Sequence, residues 1–325
     1  EEVIAELSPL LRGHRTALTP HSHAPVVADR ERLRKVIEHL VENAVKYAPP
    51  ATQITLDVSE RDGEVLVGVN DDRCYNCGRA NPGMWGFAPL LRQLGNDLGF
   101  VPFVISVSVA LYVLALIMSG GPRIGNFNPL SFLSTGDRAM FRLGAAGATA
   151  VVGYGRWWTI LSANWLHWSV LHILFNMMGV RNLAPALVEI IGPARTAIIY
   201  IIGGSCGFLL TSLLGALGIP FIGAGYLSAG ASASIFALVG ALVHYGRVSG
   251  SSHIRTQMTQ YAISMFAYGL LFPGIDNTAH AGGLIGGYLL SSWLNPLTRE
   301  KGDHMLIAVI CVLASLAAVI ASFVV

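Results

Sequence analysis

Residues 228–240 read SAGASASIFALVG, an apolar run that carries Ser232 among small residues. A serine in such a run ordinarily bonds its hydroxyl to a carbonyl one turn earlier. A later apolar run, DNTAHAGGLIGGYLL, places His280 one turn in from Asp276, at the equivalent end. Brought together, a serine and a histidine form a nucleophile and a general base: the imidazole takes the hydroxyl proton as the oxygen attacks a carbonyl. A third run, SANWLHWSVLHILFNMMGV, holds His167, His172 and Asn176. His172 and Asn176 are four apart and share a helix face, while His167, five before His172, points elsewhere. Two donors on one face could hold the charge that develops on the attacked carbonyl, an effect of about 3 to 4 kcal/mol per donor.

Apolar stretches fall at about 98–119, 158–180, 195–217, 228–246, 256–272, 277–295 and 304–325. A hydrocarbon core about 30 Å thick takes roughly 20 residues of helix, so the pattern predicts seven membrane-spanning helices. Lipid offers backbone groups no partner, and helices satisfy their own. Polar groups inside spans are costly and ask for a reason; here three spans bring them to a similar level. Ala233, Ala237 and Ala241 form a four-spaced stripe on the fourth span, and Gly282, Gly283, Gly286 and Gly287 form a double GxxxG on the sixth. Such stripes let two helices approach closely in lipid, and Ser232 and His280 lie at matching ends of them.

Orientation follows from the loops, because cytoplasmic loops carry the excess of Lys and Arg. Arg92, Arg181, Arg195, Arg247, Arg255, Arg299 and Lys301 fall on one face, and Arg123, Arg138, Arg142 and Arg156 all lie in the long loop on the other. The N-terminus is therefore expected in the cytoplasm, in a bacterial inner membrane. The fold class expected is mainly α, a polytopic bundle of six core spans plus a C-terminal one, behind a small α+β N-terminal piece.

Three motifs in order give residues 98–295 a strong resemblance to rhomboid intramembrane serine proteases. HxxxxHxxxN matches His167 to Asn176, GxSG matches Gly230 to Ala233, and the AHxxG-type sixth span matches Ala279 to Gly283. Glu189, Gly192, Tyr200, the WGFAPLL segment and a long first loop ending at Trp158 agree further. The resemblance implies Ser232 as nucleophile and His280 as base. It also implies an oxyanion hole from His172, Asn176 and the Ser232 N–H, and an aromatic ring, Phe236, on the histidine. His167, Gly230 and Trp158 would be structural or near the site. The family works with a dyad, which suits the lack of an obvious third acid; Asp276 is read as a loop cap. The reaction implied is cleavage of single-span membrane proteins near the non-cytoplasmic boundary, without cofactor or metal. Two residues depart from the pattern: Ala233 replaces glycine, crowding the close helix contact, and Thr159 replaces an arginine, loosening the first loop. No HExxH motif or internal repeat supports a metalloprotease or a transporter. The alternative is an inactive rhomboid-like protein that binds membrane clients; such relatives usually lack the serine or histidine present here.

Of 21 Lys and Arg and 19 Asp and Glu, 25 fall in residues 1–97 and 15 thereafter, which marks two unlike pieces. The boundaries expected are 1–73, a linker 74–97, the core 98–295 and an added helix 296–325. In the front piece Asp29 caps a predicted helix that Pro49 and Pro50 stop, and Ile54–Val58 and Val65–Val69 form a hairpin through Asp62 and Gly63. Residues 26–72, with HLVENAVKYAPP, resemble the ATP-binding domain of sensor histidine kinases, where Asn43 would face the nucleotide's magnesium. The family's glycine boxes and lid do not follow, so ATP binding is not expected. Cys74 and Cys77 make one CxxC, half of a four-ligand zinc site. A net charge of +2 argues against a nucleic-acid partner. The chain lacks a cleavable signal peptide and an initiating Met, and is expected to be a fragment at its N-terminus.

Overall fold

The computed structural model describes residues 15–20, 34, 37–38, 53–61, 64–68, 95, 97–121, 132–219, 226–272, 274–298 and 300–324. The chain divides into two compact units, Glu1–Gln93 and Leu94–Val325. In the first, β1 (Arg15–Pro20), β2 (Gln53–Arg61) and β3 (Glu64–Gly68) form one sheet in the order β1-β2-β3. The predicted hairpin is β2 and β3, antiparallel, with Arg61 opposite Glu64 across a two-residue connection. Parallel pairing of β1 with β2 was not predicted; it joins segments far apart in sequence, which local alternation cannot reveal. Of the predicted helix, Arg34, Ile37 and Glu38 are helical; Asn43, Asp62, Gly63, Cys74, Cys77 and WGFAPLL lie outside the described residues.

The second unit is helical. Its long elements are α1 (Phe100–Met118), α4 (Val170–Ile191), α5 (Pro193–Ala216), α6 (Ser232–Val248), α7 (Ser252–Leu271), α8 (Asn277–Leu294) and α9 (Gly302–Val324). Two short helices, α2 (Asp137–Leu143) and α3 (Thr159–Ser162), lie in the first loop with a π-helical turn at Ala148–Gly153. Helices α1, α4, α5 and α9 are each long and apolar enough to cross a membrane, and α6 is a shorter apolar helix. Outward Leu, Ile and Phe side chains on α1, α4 and α9 are exposed, as a lipid-facing surface requires.

One predicted span is displaced. The run 158–180 was expected to be helical throughout, yet α4 begins only at Val170. Ser169 is extended, and its Oγ accepts the His172 N–H at 3.3 Å as an N-cap. Residues 159–165 form α3 and a 3₁₀ turn instead. His167 consequently precedes the helix, and α4 continues through Arg181 to Ile191.

Helix α8 is the hub, and its two glycine pairs serve different neighbours. Gly283 and Gly287 face α6, where a Cβ on either would overlap the carbonyl of Ala233 or Ala237. Gly282 and Gly286 face α5: a Cβ would lie 2.8 Å from the Gly207 Cα and 2.7 Å from the Cys206 Cβ. Sequence spacing identified the stripe; two helices, not one, occupy it. Ala233 does not crowd the α6–α8 contact as expected. It meets α8 through its backbone, and its methyl sits beside Gly207 of α5, 3.0 Å from where a Cβ there would be.

The end of the first loop, around Arg156–Thr159, is held by side-chain bonds. Thr159, expected to loosen it, is buried and donates its hydroxyl to the Arg156 carbonyl at 2.8 Å. Arg156 supplies a guanidinium from a neighbouring position. It donates to the carbonyls of Phe141, at 2.8 Å, and Ser322 of α9, and lies 4.5 Å over the Phe141 ring. Burial pushes its pKa below the ordinary arginine range. Trp158 donates its indole N–H to Ser322 Oγ at 3.0 Å.

Candidate active site

Ser232 is the first residue of α6, so its backbone N–H is among those a helix leaves without an intrahelical acceptor. His280 is the fourth residue of α8, whose N-cap is Asp276, accepting the Ala279 N–H at 2.9 Å. The close α6–α8 packing brings Ser232 Oγ to 2.9 Å from His280 Nε2. Phe236, one turn further along α6, stacks on the imidazole with centroids 4.3 Å apart and planes 17° apart.

Helix α4 faces this pair. The His172 Nδ1 accepts the Trp168 N–H at 3.3 Å, so in the neutral ring the proton sits on Nε2. A Cβ on Gly230 would lie 2.7 Å from that Nε2 and 3.6 Å from Ser232 Oγ. The missing side chain therefore leaves a gap bordered by a nitrogen donor and the serine oxygen. Gly230 also has φ +147°, which disfavours any other residue. Asn176 donates to the His172 carbonyl at 2.9 Å, leaving its other amide hydrogen available. Trp168, His172, Asn176, Ser232, Phe236 and His280 line a cavity of about 540 Å³, walled by α4, α6, α7, α8 and the segment at 274–276.

His167 is fully buried behind the cavity. Its Nε2 accepts the Ala231 N–H at 3.4 Å, and its ring meets His172 edge-on at 5.2 Å. Trp158 is remote, tied to α9. Two residues escaped the sequence reading. Asn164 joins the 3₁₀ turn to α6 and α5, accepting from Ser234 Oγ at 2.7 Å and donating to Ser205 Oγ at 3.2 Å, while Gly230 N–H donates to the Ala163 carbonyl. Asn277 places its Oδ1 3.1 Å from His280 Nδ1. It is a neutral neighbour of Asp276, so a pattern of charged residues does not reveal it. The described residues contain no group of His, Cys, Asp and Glu able to hold a metal.

A family model described as Rhomboid domain matches residues 154–296. YdcA of Bacillus subtilis (strain 168), a candidate rhomboid protease, is 30% identical over 156 residues, which cover 47% of this chain and 74% of YdcA. The chain belongs to the rhomboid family. Rhomboid protease GluP of the same strain is 28% identical over 183 residues, 55% of this chain and 34% of GluP. RHOMBOID-like protein 1 of Arabidopsis thaliana is 29% identical over 218 residues, 58% of this chain and 51% of that protein. The matches thus span about a third of GluP and half of the plant rhomboid-like protein. A second family model, described as Histidine kinase-, DNA gyrase B-, and HSP90-like ATPase, matches residues 28–75, ahead of the rhomboid region.

Proposed function

We propose that this rhomboid is an active serine endopeptidase that cleaves single-span membrane proteins near the non-cytoplasmic boundary of the bilayer. The observation that carries the proposal is the 2.9 Å approach of Ser232 Oγ to His280 Nε2 on the wall of a cavity shared with His172 and Asn176. His280 Nε2 takes the Ser232 proton as Oγ bonds to the substrate carbonyl carbon. The carbonyl oxygen becomes an anion in the gap beside Gly230, where His172 Nε2–H, the free Asn176 amide hydrogen and the Ser232 N–H can donate to it. Collapse breaks the peptide C–N bond as His280 gives its proton to the leaving amine. Water, deprotonated by His280, then releases the acyl group from Ser232. Phe236, stacked on His280, limits rotation of the base.

The cavity lies at the N-terminal ends of α6 and α8, on the face opposite the basic loops. The front unit, 1–73, is then cytoplasmic, followed by the linker 74–97, the protease core 98–295 and the added helix 296–325. The proposed reaction needs no cofactor, and the front unit is not proposed to bind ATP. The test is reconstitution with a reporter span and labelling by a fluorophosphonate. The intact chain should cut and label, and Ser232→Ala should do neither. An intact chain that binds the reporter without cutting or labelling would make it a client-binding rhomboid-like protein.

A further inference from the structure

His280 is held at both nitrogens. Its Nε2 faces Ser232, and its Nδ1 faces Asn277 Oδ1 at 3.1 Å. Asn277 is buried, the first residue of α8, and its Nδ2 donates to the Phe266 carbonyl of α7 at 3.2 Å. That carbonyl decides the rest of the chain of bonds. It can only accept, so the Asn277 NH₂ group must face it. The amide oxygen must then face His280, and only an N–H can meet it there. The proton of the neutral imidazole is thereby on Nδ1, and the lone pair is on Nε2, toward the serine.

We infer that Asn277 is a positioning residue that sets the tautomer of His280 by way of the α7 backbone. The inference rests on the proposed Ser232–His280 chemistry. In serine proteases with an aspartate behind the histidine, replacing it by asparagine presents the wrong tautomer and lowers kcat about 10⁴-fold. Here the asparagine avoids that fault because its NH₂ is already engaged by Phe266. A neutral amide also avoids a buried carboxylate within the membrane, which would be costly. Helix α7 packs directly on the amide, since a Cβ on Gly269 would fall 2.7 Å from the Asn277 Cγ. The Phe266 ring also approaches His280 edge-on at 6.3 Å.

The test measures kcat, KM and Tm on a reporter span with the full chain in liposomes. Asn277→Ala removes the acceptor for Nδ1–H and the donor to Phe266. It should lower kcat about 30-fold, less than the roughly 10²- to 10⁴-fold that a general base itself supplies, with KM changed less than about twofold. Asn277→Asp keeps the acceptor and loses the donor. It should melt lower, as the alanine variant does, yet exceed that variant's kcat by about tenfold. Equal losses of kcat in both variants, tracking Tm, would make Asn277 a packing residue and overturn the inference. So would a wild-type kcat in Asn277→Ala. If Asn277→Ala does not fold, Asn277→Asp decides: a kcat within about tenfold of wild type supports the inference, and a fall as deep as that of His280→Ala overturns it. A wild-type chain that neither cuts nor labels ends the protease proposal itself, whereas an active wild type with an unaffected Asn277→Ala ends this inference alone.

Discussion

Helices α6 and α8 hold two serine–histidine pairs, one at each end, in very different surroundings. Ser232 and His280 are 2.9 Å apart beside the cavity; His244 Nδ1 and Ser291 Oγ are 3.0 Å apart and buried near the opposite ends of the same helices. Distance does not separate them. Surroundings do. Ser291 Oγ has a backbone acceptor on α6 besides His244, the Ala241 carbonyl at 3.4 Å, so its hydroxyl is held between the two helices. Among the described residues the Ser232 hydroxyl meets one side chain, that of His280, whose other nitrogen meets the Asn277 oxygen. The second ring has its edge against Tyr288 at 5.1 Å, and Tyr288 in turn accepts from Arg247 at 2.9 Å. One pair is placed for the proposed step, in which the imidazole takes the serine proton as Oγ attacks a carbonyl carbon; the other ties two helices together.

The contrast breaks most decisively at the level of single atoms. Ser232→Ala and His280→Ala should each lower cleavage of a reporter span by more than about 10³-fold. Ser291→Ala should leave cleavage within about threefold and lower Tm by roughly 2 to 4 °C, the effect of about 1 kcal/mol in a unit of this size. Comparable loss of turnover from Ser291→Ala would show that the two ends are not distinct in role.

A smaller effect is expected across the gap at Gly230. His172→Ala removes the Nε2–H donor and should lower kcat about 10²-fold, with Tm nearly unchanged. If kcat is retained while KM rises, His172 contacts substrate equally in ground and transition states, and the oxyanion role is wrong.

Between the two pairs lies Gly287, whose Cβ would overlap the Ala237 carbonyl. Gly287→Ala should force α6 and α8 apart at a cost of about 1 to 3 kcal/mol. Both pairs should stretch together, lowering Tm by roughly 5 °C and slowing cleavage. Normal turnover despite the lower Tm would mean that Asn277 and Phe236 hold His280 in place without the glycine seam.

How much of this was legible in sequence depends on what kind of signal carried it. Ser232, His280, His172 and Asn176, which the fold brings to one cavity, stand out in the sequence as polar side chains in apolar runs, and the glycine pairs stand out because helical spacing repeats. The start of α4 was misplaced because hydropathy sums apolarity over residues 158–169 and is blind to the extended Ser169 that caps the helix. Asn277 was overlooked because the search was for a charge, whereas the useful group was neutral and its partner was a backbone carbonyl on another helix. Asn164 and the β1–β2 pairing depend on segments far apart in sequence, where local pattern carries no information.

The smallest expected effect lies beyond the Ser291 end, in the turn between α8 and α9. Glu300 accepts the Arg195 N–H at 2.7 Å, and Arg195 also donates to the Thr298 carbonyl at 2.6 Å and to His304 Nδ1 at 3.1 Å. Burial raises the Glu300 pKa above its ordinary 4.5, outweighing the lowering by the Arg195 N–H and charge. A carboxyl raised in the folded state contributes stability below the unfolded value, and that contribution is lost as pH rises through the folded one. Tm should therefore decline slightly as pH is raised from about 4.5 upward, and Glu300→Gln should flatten that decline. Cleavage measured at one fixed pH should not distinguish the variant from wild type, because the turn touches neither Ser232 nor His280. A Tm profile equally steep in both proteins would assign the pH dependence to another group. A loss of cleavage in Glu300→Gln would mean that the end of α8 holding only structural contacts nevertheless governs the end holding the reactive pair.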